Sequence, residues 1–163
     1  GMHVALIGIA QVAFLQAGSD PFVFVAITIS LWPAFGAEIA TFLRLKLQSE
    51  KSACAGYLVA QLIGGVGEPF IYGMDFRYPK LFLCSMVGAF VSGALALALG
   101  VTAYVAGLPS SVLSILTFVG GGTDNLLFAC IAAAAGFAVS FAATWFFGFT
   151  KDELENGPVS ERG

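Results

Sequence analysis

Between Leu81 and Thr123 the chain runs for 43 residues without a charge, and between Asn125 and Thr150 for another 26. A helix that crosses the hydrocarbon core of a bilayer needs about 20 predominantly apolar residues. These runs therefore read as membrane spans rather than core helices. Hydrophobic residues make up 58% of the 163 positions, charged ones 10%, and the mean hydropathy is +0.91, more apolar surface than a soluble fold can use. The expected fold class is all-α, a polytopic integral membrane protein with re-entrant helical hairpins. The first residues carry neither a basic leader nor a small-residue cleavage site, so no secretory signal peptide is expected.

Helix breakers divide the chain. Val4 to Gln16 reads as a helix, and Gly18-Ser19-Asp20-Pro21 as a turn, because glycine accepts unusual dihedrals and Asp before Pro favours turn initiation. Phe22 to Lys46 is long enough to span, with a kink expected at Pro33. Gln48 to Ser52 reads as a polar loop, and Ala53 to Val66 as an arm of 14 residues, too short to cross. Phe70 to Met74 would return from a break, Asp75 to Lys80 is polar, and Leu81 to Gly100 is a span rich in Gly, Ala and Ser. Gly107 to Ser111 and Gly120 to Asp124 bracket Val112 to Val119, eight residues that suggest a second re-entrant feature. Leu126 to Phe149 is the last span, with Trp145, Phe146, Phe147 and Phe149 as an interfacial belt. Residues 1–150 read as the membrane domain, and the polar tail 151–163 as a solvated, disordered end or a linker stub rather than an acidic binding surface.

The break between the two short arms holds Glu68, in Gly64-Gly65-Val66-Gly67-Glu68-Pro69. Glycines and a proline at this density cannot sit in a helix interior. An ionisable group at membrane depth is costly and marks contact with a substrate, ion or proton. Broken backbone at that depth is tolerated where protein or a water-filled cavity satisfies it, which is how transporters build midplane sites. A buried polar site around Glu68 is the functional expectation. The plain alternative is a carboxylate that caps the free N–H groups of a broken helix.

Other polar residues have mainly structural readings. Asp20 is a turn residue, Asp124 a cap beside three glycines, and Glu38 a buried acid that could pair with Arg44 or line a cavity. Cys54, Cys84 and Cys130 are too far apart for a metal or redox site and read as packing residues. Neither a cofactor nor a metal is expected, nor a nucleic-acid partner, since basic and aromatic residues are not interleaved. Arg44, Lys46 and Lys51, then Arg77 and Lys80, fall in two polar breaks, and basic loops favour the cytoplasmic face.

The stretch Gly65-Val66-Gly67-Glu68-Pro69-Phe70-Ile71-Tyr72-Gly73 resembles the Gly-Ile-Thr-Glu-Pro and Ile-Tyr-Gly signature of the membrane (IIC) component of bacterial sugar phosphotransferase permeases, glucoside and sucrose branch. Gly1-Met2-His3 is similar to that family's Gly-Leu-His element, Gly18-Ser19-Asp20-Pro21 to its Gly-x-Asp-Pro turn, and Gly100 to Tyr104 with Gly107-Leu108-Pro109 to its later helix and loop. The resemblance is colinear over nearly the whole chain and is to the C-terminal half of the family's membrane domain. Gly67 stands where most members have threonine.

The resemblance implies a multi-pass protein of the cytoplasmic membrane that binds a sugar and presents it to a phosphocysteine-bearing IIB subunit, the full-length family being homodimeric. It places Glu68 and His3 at the reacting hydroxyl and makes Gly67, Pro69 and Arg77 further sugar-contact candidates. A carboxylate can accept from that hydroxyl and act as its base, and an imidazole can orient it. Arg77 alternatively anchors the hairpin at the membrane surface. Two other readings stand beside this one: a truncated, non-transporting membrane fragment, and an unrelated transporter coupled to a cation or proton with Glu68 as its ion site.

Overall fold

The computed structural model describes residues 2–106 and 111–158, without the side chains of residues 2–4, 6 and 156. Among these the regular structure is helical, with no β-strand. The turn at Gly107-Leu108-Pro109-Ser110, the His3 side chain and residues 159–163 lie outside the described residues.

Three helical stretches are long and apolar enough to cross a membrane: Val23–Arg44, Pro79–Ala98 and Thr123–Phe147, of 22, 20 and 25 residues. The first is two helices, α2 (Val23–Ile29) and α3 (Leu31–Arg44), which follow α1 (Met2–Ala17). The interruption at Ser30 follows from Pro33, which has no N–H to donate to the Ile29 carbonyl four residues back. The expected kink is thus a real break in the ladder. Asp20 starts α2: its carboxylate accepts from the backbone N–H groups of Phe22, Val23 and Phe24 at 2.6, 3.0 and 3.1 Å.

Helix α3 packs against α6 (Pro79–Ala98) and α7 (Thr123–Phe147) through small residues. A Cβ on Gly88 would lie 2.5 Å from the Ser140 Cβ and 2.8 Å from the Gly136 carbonyl oxygen. One on Gly36 would meet the Phe137 carbonyl, and one on Gly136 the Ser92 side chain. Lipid tails are as apolar as leucine, so close backbone approach is what membrane helices gain by associating.

Two cores lie at opposite ends of this bundle. One gathers Phe24, Val25 and Ile29 of α2 with Ala96, Val101, Phe118 and Ala129. There Asp20 and Ala103 exchange backbone hydrogen bonds at 2.8 and 2.9 Å, and Asn125 binds the carbonyls of Thr102 and Phe118 at 2.8 Å. Val112–Phe118 is a 3-10 segment rather than an α-helix, held where Tyr104 and Val105 donate to the Thr117 carbonyl.

The other core joins Ala37, Leu45, Cys54, Phe70, Met74, Tyr78, Leu81, Phe149 and Leu154. Leu154 corrects the expectation of a disordered tail, because Lys151–Asn156 is a helix, α8. Thr150 and Glu153 cap it reciprocally, with Glu153 Oε2 accepting from the Thr150 N–H at 2.7 Å and Thr150 Oγ1 from the Glu153 N–H at 3.3 Å. The polar residues Gln48–Ser52, expected to be a loop, are instead the first turn of α4 (Gln48–Leu62).

Candidate functional site

The segment between α3 and α6 leaves the second core and returns to it. Helix α4 has 15 residues, about 22 Å at 1.5 Å per residue and short of the roughly 30 Å of a hydrocarbon core. It ends where Val66 N–H donates to the Ala60 carbonyl at 3.2 Å and Gly65 N–H to that of Gln61 at 3.0 Å, with Gly65 at φ +71°. That arrangement closes a helix and needs a left-handed residue, the reason for glycine there. Gly67 then caps the short helix α5 (Glu68–Phe70), in which Pro69 occupies an early position that needs no donor. The return arm continues as a π-helical turn, Ile71–Asp75, closed by the Phe76 N–H donating to the Ile71 carbonyl at 3.1 Å. Such turns carry one extra residue and are frequent at functional sites.

Glu68 stands at the tip and is exposed within this chain, not buried as expected for a closed polar site. The physical reason is that α4 and the return arm pack on each other through Gly73 and Phe70, which leaves the first residue of α5 on the outside. The Tyr57 ring occupies the space a Gly73 Cβ would need, 2.5 Å from its Cε2. Gly67 sits beside Glu68, and a Cβ on it would lie 2.9 Å from Gln61 Oε1. Gln61 is 4% exposed, so a buried amide lies against the position where the resembled family has a threonine hydroxyl. Tyr72 and Phe76, both exposed, meet edge to face one and two turns beyond Glu68, ring centroids 5.4 Å apart.

Arg77 closes the hairpin at its base. Its Nη1 donates to Glu50 Oε2 at 2.9 Å and to the Gly73 carbonyl at 3.2 Å, and its Nη2 to Glu50 Oε1 at 2.8 Å. The fork fits a carboxylate bidentately. Arg77 is thus turned toward the base of α4, whereas Glu68, Gly67 and Pro69 share the tip. His3 lies in the first turn of α1, a helix that packs against α2.

Glu38, Gln61 and Asp75 are polar residues buried around the hairpin. Glu38 does not pair with Arg44, whose guanidinium lies over the Trp145 ring at 5.7 Å. Asp75 reads as part of a solvated connection, yet burial pushes its carboxyl up to about 7. Burial likewise pushes the Cys54 thiol up to about 12, with Glu38 and Glu50 adding to it, as suits a packing cysteine. For Gln61, its place on the apolar arm before the break was the available signal.

The chain is 30% identical over 149 residues to the PTS system beta-glucoside-specific EIIBCA component of Bacillus subtilis, covering 91% of this chain and 24% of that protein. It is 33% identical over 95 residues to the beta-glucoside-specific EIIBCA component of Halalkalibacterium halodurans, covering 58% and 15%. A PTS system MurNAc-GlcNAc-specific EIIBC component of Staphylococcus aureus is 32% identical over 118 residues, covering 71% and 23%. The chain therefore spans a quarter or less of the length of these curated relatives. No family model matches the chain. No solved structure matches it.

Proposed function

We propose that this chain, a homologue of bacterial phosphotransferase-system components and consistent with a IIC-like segment of one, takes part in sugar recognition and translocation through its Glu68 hairpin. The observation that carries the reading is the coincidence of the homology with a complete hairpin: the similarity extends over 91% of the chain, and Glu68 stands where the arms of that hairpin meet. An exposed carboxylate at the tip is free to accept from a sugar hydroxyl, and Tyr72 and Phe76 offer aromatic surface to a pyranose face. In this reading Glu68 accepts the proton of the hydroxyl as a partner's phosphocysteine, on a IIB domain, transfers its phosphoryl group. His3 orients that hydroxyl, Gly67 and Pro69 shape the tip, and Arg77 fixes the hairpin's base. Phosphoryl transfer depends mainly on positioning and electrostatics, which is what such a set provides.

The orientation follows from charge. Arg44, Lys46, Lys51, Arg77, Lys80 and Lys151 all belong to the end built on the second core, whereas the opposite end carries Asp20 and Asp124. The basic end faces the cytoplasm, so the hairpin enters from the side on which a soluble IIB domain works. The proposed setting is the cytoplasmic membrane, with a second copy of the full-length protein as homodimer partner.

The test is binding of aryl β-glucosides and of the MurNAc-GlcNAc disaccharide to the purified protein in lipid nanodiscs, with Glu68→Gln alongside. Saturable binding lost in the variant supports the reading. Binding that is unchanged in Glu68→Gln overturns the role given to Glu68.

A further inference from the structure

Helix α8 meets the ends of two spans around a cleft that sugar recognition at the hairpin does not use. Arg44 is the last residue of the first span, and Trp145 lies in the last turn of the third. With Lys46, and with Lys151, Leu154 and Glu155 of α8, they line an open cleft of about 610 Å³. Small-molecule sites occupy about 300–1,000 Å³. Leu154 is buried in the second core, which fixes α8 beside the span ends.

The charge in this cleft is unbalanced. Lys46 Nζ pairs with Glu155 Oε1 at 3.3 Å. Among the described residues, neither Arg44 nor Lys151 has a carboxylate within ion-pair distance. Of the three acids in α8 only Glu155 lines the cleft, and Glu153 is turned to its cap with Thr150. Three cations therefore face one anion. The Arg44 guanidinium lies 5.7 Å from the centre of the Trp145 ring, a cation–π contact that sets its position before any ligand arrives.

The rest of the lining is apolar. Leu43 and Trp145 are both exposed, at the level where their spans end. A soluble anion would use the cations alone and leave this surface in water. A phospholipid uses both, its phosphate on the cations and the start of its chains on Leu43. Tryptophan at a span end sits at headgroup level, and basic pockets between membrane helices suit anionic headgroups. We propose that this cleft binds the headgroup of an anionic phospholipid, with Arg44 and Lys151 on its phosphate and Trp145 against its glycerol. The bound lipid bridges α3, α7 and α8 and so ties α8 to the membrane surface. The site involves neither Glu68 nor a sugar.

The test is quenching of Trp145 fluorescence by brominated lipids, with the whole chain in vesicles. Trp32→Phe leaves Trp145 as the one tryptophan. Vesicles of phosphatidylcholine carry, at equal fractions, brominated phosphatidylglycerol or brominated phosphatidylcholine, and the ratio of quenched to unquenched emission gives the preference. The anionic lipid should be preferred, and Arg44→Gln or Lys151→Gln should each lower that preference about fivefold, the value of one basic side chain at an anionic surface. Lys80→Gln, at the same end but outside the cleft, should leave it unchanged. Equal quenching by the two lipids overturns the proposal, as does a preference that survives in both cleft variants. An equal loss in Lys80→Gln also overturns it, since the general charge of this end is then responsible. Displacement of the brominated lipid by soluble glycerol phosphate would make the cleft a site for a free phosphate ester and overturns it too. Lys151 is exposed, so its variant keeps the test open if Arg44→Gln disturbs the ring beneath it.

Discussion

Arg77 holds Glu50 through two parallel hydrogen bonds of 2.8 and 2.9 Å across 27 positions of sequence, joining the foot of the hairpin's return arm to the first turn of its outgoing arm. The side chains are 24% and 14% exposed, so solvent screens the pair only in part. Glu50→Gln should therefore weaken the hairpin by no more than about 1.5–3 kcal/mol, the range for a hydrogen bond to a charged group. Arg77→Lys should recover little of the loss, because an ammonium cannot supply the fork. Hydrogen exchange across residues 63–76, which rises selectively if the clamp matters, is the measurement.

Glu68→Gln removes the charge at the tip and keeps its shape. If the carboxylate accepts from a sugar hydroxyl, the loss is about 1.5–3 kcal/mol, or roughly ten- to a hundredfold in affinity. Equilibrium binding of β-glucosides measures it, and thermal unfolding of the same sample should show no matching loss, since Glu68 is exposed.

Stability should depend on pH through Asp75. Its carboxyl is raised from 3.8 to about 7 by burial, so the folded state holds a proton that the unfolded chain releases more readily. The contribution is complete below about pH 4 and is lost as pH rises to about 7. Melting temperatures in detergent should fall across that window in the wild type. In Asp75→Asn the slope should flatten, and an unchanged slope would falsify the assignment to Asp75.

Gly88→Ala places a methyl group 2.5 Å from the Ser140 Cβ and 2.8 Å from the Gly136 carbonyl oxygen. The backbone at Gly136 cannot move aside cheaply, so the spans must separate. A loss of about 1–3 kcal/mol is expected, the usual cost of overpacking, read by denaturant unfolding in mixed micelles. Gly93→Ala is the control, because nothing lies within 4 Å of its added Cβ.

Gly67→Thr should restore the hydroxyl of the resembled signature only at the expense of Gln61, whose Oε1 would lie 2.9 Å from the new Cβ. The double change Gly67→Thr with Gln61→Ala relieves that contact. If Gln61 helps to set sugar preference, the two variants should rank a saccharide panel differently. Identical rankings would make Gln61 a packing residue.

The sequence shows the three spans because charge is excluded from them, and it shows the hairpin because glycine and proline leave a helix little choice. Pro33 likewise marks the break before α3, and Asp20 the start of α2. The buried acids are harder to see. Asp75 belongs to a run with Arg77 and Lys80 that has the composition of a solvated loop, yet the π turn brings it inside. The Glu50–Arg77 clamp depends on arms that meet only after folding. Glu38 is visible as an acid in an apolar helix. Helix α8 was readable after all: Thr150 and Glu153 have the spacing of a capping box, and Leu154 is the apolar anchor among charged residues.

The five-residue turn at Ile71–Asp75 makes this hairpin sensitive to how many residues it has as well as to which ones. Substitutions there leave the count intact. Removing one residue would return the segment to ordinary helical pitch and swing the side chains beyond it by about 100° relative to those before. Glu68 would keep its place while Asp75 turned out of its buried position. Length variation at this turn would therefore change the relation between tip and base in a way no single replacement can.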